Sequence, residues 1–310
     1  MTDDAAGEGW FTGVDPDTLD GARDAIEGGS SDAPADWPAL AVDTGFATDE
    51  DDYYDRLHEA TTTAAREQVR ERERADDQQL IHSIRAMDDA GRLANELAER
   101  AAEWAGSLFD GVEPGIEGAR AVAEREPAPA DPTEARAVSL AARVGDLADE
   151  RDALRAYVER TAPAVAPNLS DLAGPVLAAR LIALAGGLEA LAKKPSGTVQ
   201  VLGAEDALFA HLAGRAPSPK HGAIYTHEYV RGTRREDRGS AARALAGKLS
   251  IAARVDHYSG DHRPELRREL DERMATIRGR ADERAAGPDE RDDGEHRAND
   301  GGTGGEEDGR

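Results

Sequence analysis

Apolar residues recur along this chain at helical spacing and hardly anywhere at the alternation of a strand. Leu80, Ile84 and Met87, then Leu93, Leu97, Ala101, Trp104 and Leu108, step mostly by three or four residues, which lays them along one face of a helix. Residues 48–89 contain no proline or glycine. Thr48 stands where it can cap a helix whose first turn is acidic, a placement that complements the helix dipole. The stripe runs to about Phe109 and ends at the glycines and proline of DGVEPG. PAPADP, at 127–132, is a stiff break. Beyond it Leu140, Val144, Leu147, Arg151, Leu154 and Val158 alternate steps of four and three, a heptad seam interrupted by Arg151. Two long helices joined by a short break predict an antiparallel coiled-coil hairpin over 49–160. A pair of ordinary bundle helices packed on the next domain fits the same pattern.

Pro163 and Pro167 are expected to end the second helix. Residues 161–281 then read as several short helices with loops, including a helix from about Arg238 to Val255 and a last charged helix from Arg263 to Arg280. Residues 282–310 lack apolar side chains beyond alanine and are expected to be a disordered acidic tail. At the other end, Trp10, Phe11, Trp37, Leu40, Val42 and Phe46 are scattered through residues 1–48, which are rich in Gly, Asp, Ala and Pro. So few apolar residues rarely build a core alone, so this region reads as a very small domain or as an arm that docks elsewhere. The fold class expected is mostly α: a short N-terminal region, a coiled-coil hairpin and a compact helical C-terminal domain.

Charge sharpens this division. The formal net charge is −25, yet Arg180 to Arg263 carries 13 lysines and arginines against 8 acidic residues. All four lysines, Lys193, Lys194, Lys220 and Lys248, lie in that island. A basic island inside an acidic protein points to a polyanionic partner, most simply nucleic acid. Scarce lysine beside abundant arginine and carboxylate suits a folded protein of a salt-adapted cell better than a disordered acidic chain. There are no cysteines, which excludes disulfides and thiolate chemistry. The N-terminus has no basic and apolar signal pattern, and a soluble cytoplasmic protein is expected. No nucleophile elbow, phosphate-binding loop or close histidine pair occurs, so neither catalysis nor a metal or cofactor is expected.

Within the island, Arg243 and Arg254 are 11 residues apart, about three turns, and share one helical stripe with Gly247 and Ser250 between them. Two guanidinium groups around small residues let a phosphate backbone approach closely. The competing reading is a pair of surface arginines bridged to carboxylates such as Asp256. Lys220 and His221 lie in a loop stiffened by Pro217 and Pro219, which suits contact with a base or phosphate, although a plain turn fits as well. Lys193 and Lys194 close a helix, where lysines commonly serve the dipole. Gly203, Ala204 and Glu205 open another, whose N–H groups could hold an anion.

Many short motifs in this region occur in the order of one known family. They are APNL at 166–169, ARLI at 179–182, LAK at 191–193, VQVLGAE at 199–205, ALF at 207–209 and PKHG at 219–222. Arg238-Gly239, ARALA at 242–246, Lys248 and AARVD at 252–256 complete the set. In these residues the island resembles the Nop domain of the archaeal core protein of box C/D small ribonucleoproteins. Gly45-Phe46, the segment 78–89, Asn95 and Glu103-Trp104 resemble that family's coiled-coil helices more loosely.

The resemblance implies a non-catalytic scaffold that joins a kink-turn guide RNA, a small kink-turn-binding protein of ribosomal type and the methyltransferase fibrillarin. Such a particle guides ribose 2′-O-methylation of rRNA and tRNA. It also implies self-association through the coiled coil, fibrillarin docking by the N-terminal region, and an archaeal cytosolic location. Carried over by residue, Lys220, His221, Arg243, Lys248 and Arg254 would face RNA. Gln200, Gly203, Ala204 and Glu205 would face the small protein. Asp206 and Ser240 stand where the family usually has lysine, and the N-terminal region and coiled-coil tip are shorter. The alternative from another class is an acidic coiled-coil scaffold that assembles proteins without RNA.

Overall fold

The computed structural model describes residues 9–19, 21–29, 35–127 and 132–285. Among them are fourteen α-helices, one 3-10 turn and no strand. The chain divides into two compact units, Met1–Thr161 and Ala162–Arg310. No single helix among the described residues is long and apolar enough to cross a membrane.

In the first unit, α1 (Ala22–Gly28) and α2 (Trp37–Asp43) pack on α3 (Glu50–Arg74). Phe11, Phe46 and Tyr53 are buried between them, with Trp10, Leu19, Trp37 and Leu40 around the edge. The Trp10 and Phe11 ring centroids lie 5.3 and 5.4 Å from that of Phe46. The scattered apolar residues therefore do form a core, because α3 supplies the surface they lack on their own. The N-cap of α3 is Asp49 rather than Thr48: its carboxylate accepts the Asp52 amide at 2.8 Å. Thr48 instead donates its amide and hydroxyl to the Asp52 carboxylate, at 2.7 and 3.1 Å. Those bonds, the amide first, and the neighbouring Arg56 hold the Asp52 acid below its usual range.

The long helix expected from residue 49 breaks at Ala75, an extended residue between α3 and α4 (Asp76–Gly106). Arg72 clamps the break with two bonds to the buried Asp77 carboxylate, 2.7 and 3.0 Å. A helix absent from the sequence reading, α5 (Gly115–Ala123), follows α4. Gly118 is required there, since a Cβ would stand 1.8 Å from the Glu113 carbonyl oxygen. The helix α6 (Pro132–Val165) completes the unit, and Pro163 lies inside it rather than ending it. Its missing amide costs that helix the one bond to the carbonyl of Glu159.

Ala98, Ala101 and Ala105 of α4, Ala119 and Val122 of α5, and Ala141 and Val144 of α6 share one core. Further along α4, Gly91 faces Arg151, whose Cδ lies 3.2 Å from where a Cβ would stand. Rising numbers on α4 thus meet falling numbers on α6, so the two helices run antiparallel, as the hairpin reading expects. The seam differs from the expected one. On α6 it buries Ala137, Ala141, Val144, Ala148 and Val158, while Leu140, Leu147 and Leu154 are only half-buried. On α4, Leu93 and Trp104 are 40% and 37% exposed beside fully buried alanines. Three helices meet at this core, and alanine lets them approach closely where leucine would hold them apart.

The second unit is built around one long helix. In order it contains α7 (Pro167–Ala173), α8 (Pro175–Ala185), α9 (Leu188–Lys193), α10 (Ser196–Val201) and α11 (Glu205–Leu212). The 3-10 turn Ala223–Thr226, α12 (Glu228–Arg231), α13 (Arg238–Tyr258) and α14 (Glu265–Ala285) follow. Helix α13 packs against α7, α9, α10, α12 and α14. Ala241, Ala242, Leu245, Ala246, Leu249, Ala252 and Ala253 of α13 are buried. Each leucine at such a position contributes ~1.5–3 kcal/mol.

The one acidic side chain of α13, Asp256, is buried too. Its carboxylate accepts the amides of Asn168 and Leu169 at 3.0 and 2.8 Å and the Asn168 side chain at 2.6 Å, capping α7. Asn168 in turn bonds the Asp261 carbonyl and the Arg263 amide, which fixes the turn into α14. That helix docks through Leu266, Leu270, Met274 and Ile277. It runs five residues beyond the expected end at Arg280; the rest of the expected tail, 286–310, lies outside the described residues.

Candidate nucleic-acid interface

The site begins at the C-terminal end of α10, where helix carbonyls need partners. The Gly222 and Ala223 amides donate to the carbonyls of Gln200 and Leu202, at 2.9 and 2.7 Å. This close approach demands glycine: a Cβ on Gly222 would stand 2.1 Å from the Leu202 carbonyl oxygen. The Gln200 side chain answers by donating to the Lys220 carbonyl at 2.7 Å. The PKHG loop is thereby strapped across α10, and Lys220 is held over the start of α13, its Cδ 3.9 Å from where a Gly239 Cβ would be.

Between these elements lies an open recess of about 550 Å³. Its wall includes Gln200, Lys220, Glu236, Gly239, Ser240 and Arg243. Arg243 is exposed and has no ion pair or hydrogen bond among the described residues. Lys220 also has an exposed side chain. Two cations beside a glycine, a serine and an amide form a surface on which a phosphate or a base edge can sit. Glu236 tempers their charge.

The half-buried His221 stacks on Tyr225, with centroids 4.5 Å apart and planes at 21°. Arg238 lies over the same tyrosine ring at 5.5 Å and donates to the carbonyls of Thr233 and Arg231. Burial holds the His221 imidazole below its ordinary pKa, and the cations of Arg238 and Lys220 act in the same direction. Tyr225 and Arg238 are supporting residues that the site reading did not single out. The available signal was an aromatic four residues after the histidine.

The other expected site residues are distributed. Lys248 is five residues from Arg243, roughly 140° around the helix, and forms an ion pair with Glu269 of α14. Arg254 keeps to the Arg243 stripe and donates to the carbonyls of Ala192 and Lys194 at 3.1 and 3.3 Å, closing the end of α9. Neither arginine is bridged to Asp256, whose oxygens serve α7. Gly203 adopts φ +82°, and its amide donates to the Glu205 carboxylate at 2.8 Å, so an anion from the chain itself occupies this start of α11. Ala204 is the N-cap residue there. The exposed Phe209 and Leu212 continue that helix, at 65% and 72% exposure. The structure thus gathers Gln200, Lys220 and Arg243 at one recess, with His221 beside it. Lys248 and Arg254 lie further along α13.

Residues 116–276, more than half of the chain, match the Nop family model, described as "snoRNA binding domain, fibrillarin". The chain belongs to the Nop family. An uncharacterized NOP5 family protein of Methanocaldococcus jannaschii is 51% identical over 142 residues, 46% of this chain and 34% of its own length. Nucleolar protein 58 of Scheffersomyces stipitis is 39% identical over 148 residues, 46% of this Nop chain and 29% of its own. Nucleolar protein 56 of Saccharomyces cerevisiae is 45% identical over 120 residues, 39% and 24% of the two chains. The match therefore spans about a third or less of these curated relatives. A solved fibrillarin/Nop5p complex contains a chain 23% identical to this one, with a TM-score of 0.49 over 84% of this chain and 92% of that one.

Proposed function

We propose that this Nop-family chain is a non-catalytic RNA-binding scaffold of an archaeal box C/D ribonucleoprotein that guides ribose 2′-O-methylation of rRNA and tRNA. In this reading it joins a kink-turn guide RNA and its small binding protein to fibrillarin. The observation that carries it is the recess in which Gln200, Lys220 and Arg243 converge within the segment matched to the family. Lys220 and Arg243 contact the RNA there, with Lys248 and Arg254 as outlying cations and His221 as a wedge held by Tyr225. Gln200, Gly203, Ala204 and Glu205 border the small protein. The aromatic unit around Phe11 and Phe46 is the region proposed to dock fibrillarin. The half-exposed leucines of α6 are the surface proposed for self-association. No catalytic role is assigned, and the expected location is the cytosol.

Reconstitution tests this. A kink-turn RNA bound to its small protein should retain the full chain on an RNA affinity resin, and fibrillarin should join the complex only when the chain is present. If the RNA complex is not retained at any salt level, the protein-only scaffold replaces this reading.

A further inference from the structure

We propose that the exposed ring of Tyr258, with Lys193 and Arg254 beside it, is a stacking platform for a base of single-stranded RNA running along α13 from the recess at Arg243. The inference rests on the RNA-scaffold reading and adds a second contact point to it.

Ser240, Arg243, Gly247, Ile251, Arg254 and Tyr258 fall on one arc of roughly 80° by the helical period. None carries a carboxylate, and the one acid of α13, Asp256, is buried against α7. In a chain of net charge −25 this stripe stands out as free of acidic side chains. About 22 Å of helix separate Arg243 from Tyr258, a length suited to a short strand rather than to a single phosphate. Small residues and Ile251, 39% exposed, lie between them.

At the far end Tyr258 is 66% exposed, on a helix that buries Leu245, Leu249 and Val255. The His257 ring meets it edge to face, 4.5 Å away at 64°, which limits its rotation. The Tyr258 hydroxyl is within electrostatic reach of the Lys193 ammonium. Lys193 is itself paired with Glu189 at 2.5 Å. Arg254 is pinned by the carbonyls of α9, so its charge is fixed in place rather than swinging. A preset aromatic face beside a fixed guanidinium and a lysine matches the way single strands are held without sequence preference, by stacking and backbone charge. Phe209 and Leu212 are equally exposed, but α11 opens with Glu205 and Asp206, whose charge repels a strand.

The test uses the full chain and a kink-turn hairpin bound to its small protein, with and without a single-stranded oligouridylate extension carrying one 2-aminopurine. The extension should tighten binding about tenfold, the order of one base stack, and quench the 2-aminopurine. Tyr258→Phe should keep both effects and Tyr258→Ala should lose both, with helical circular dichroism unchanged. If the extension adds nothing, or Tyr258→Ala keeps the gain, the platform is overturned and a protein occupant of the ring is favoured. In that case the scaffold reading still stands if Arg243→Ala weakens the bare hairpin. Failure to bind the hairpin at all overturns both.

Discussion

At the scale of single residues, Arg243 differs from its neighbours because none of the described residues uses its charge. Arg254 closes α9, Lys248 pairs with Glu269 and Arg238 braces Tyr225. Arg243→Ala is expected to weaken RNA assembly by about 1.5–3 kcal/mol, the worth of a charge-assisted contact, while the melting temperature stays put. Binding curves and thermal melts on the same preparation check this, and unchanged affinity would remove Arg243 from the interface. The shared stripe of Arg243 and Arg254 was legible because an 11-residue spacing fixes helical direction. The division of labour between them was not, since it depends on carbonyls of Ala192 and Lys194, some 60 residues away in sequence. His227 supplies a second case. Its Nε2 bonds the Leu172 carbonyl and its Nδ1 accepts the Tyr229 amide, so the neutral ring uses both nitrogens. Burial holds its pKa below the ordinary value. The unfolded chain therefore takes up the proton first, and this contribution to stability, intact above pH ~6.5, is lost as pH falls below it. His227→Gln should flatten the fall in melting temperature between pH 7 and 5. An identical slope in the variant would mean that His227 is not the group responsible.

At the scale of elements, α13 is the frame on which the second unit hangs, and its polar anchor is one carboxylate. Asp256→Ala would leave the amides of Asn168 and Leu169 and the Asn168 side chain without their acceptor in a buried setting. A loss of about 3 kcal/mol is expected, given ~1–3 kcal/mol for each stranded donor and partial relaxation. Denaturant unfolding measures it, and a loss under about 0.5 kcal/mol would show that α7 keeps its place without the cap. Helix α13 itself was readable from residue 238 onward, because its apolar positions hold the 3.6-residue period. The α6 seam misled for a physical reason. A heptad reading assigns the interface to the largest apolar residues, here Leu140, Leu147 and Leu154. The helix instead buries the small residues Ala141 and Ala148 beside the expected Val144 and Val158. Helix α5 was hidden in a segment rich in glycine and proline, where Gly118 serves a close helix–loop approach rather than a break. The kink at Ala75 has no breaker residue at all and is held by Arg72 and Asp77.

At the scale of the whole molecule, the opposed charges of island and chain decide how RNA can be recognised. The net charge of −25 repels a polyanion at long range. In molar salt that repulsion disappears, because the screening length falls to ~3 Å, but so does any attraction from scattered lysines. What survives is contact chemistry: cations that touch phosphates, glycines that permit approach, and rings that stack. Asp206 and Ser240 add no cation, and Lys248 is held by Glu269, which leaves few cations poised at the recess. Each phosphate neutralised by a protein cation steepens the fall of log K with log salt by ~0.7–0.9. With Lys220 and Arg243 as the principal contacts, the slope for the kink-turn complex should be about −2. Lys220→Ala should reduce its magnitude by about one. Titrations from low to molar salt measure both quantities. A slope steeper than about −6 would demand more cations than this surface presents, and would place the RNA across a wider face of the island than the recess and the α13 stripe.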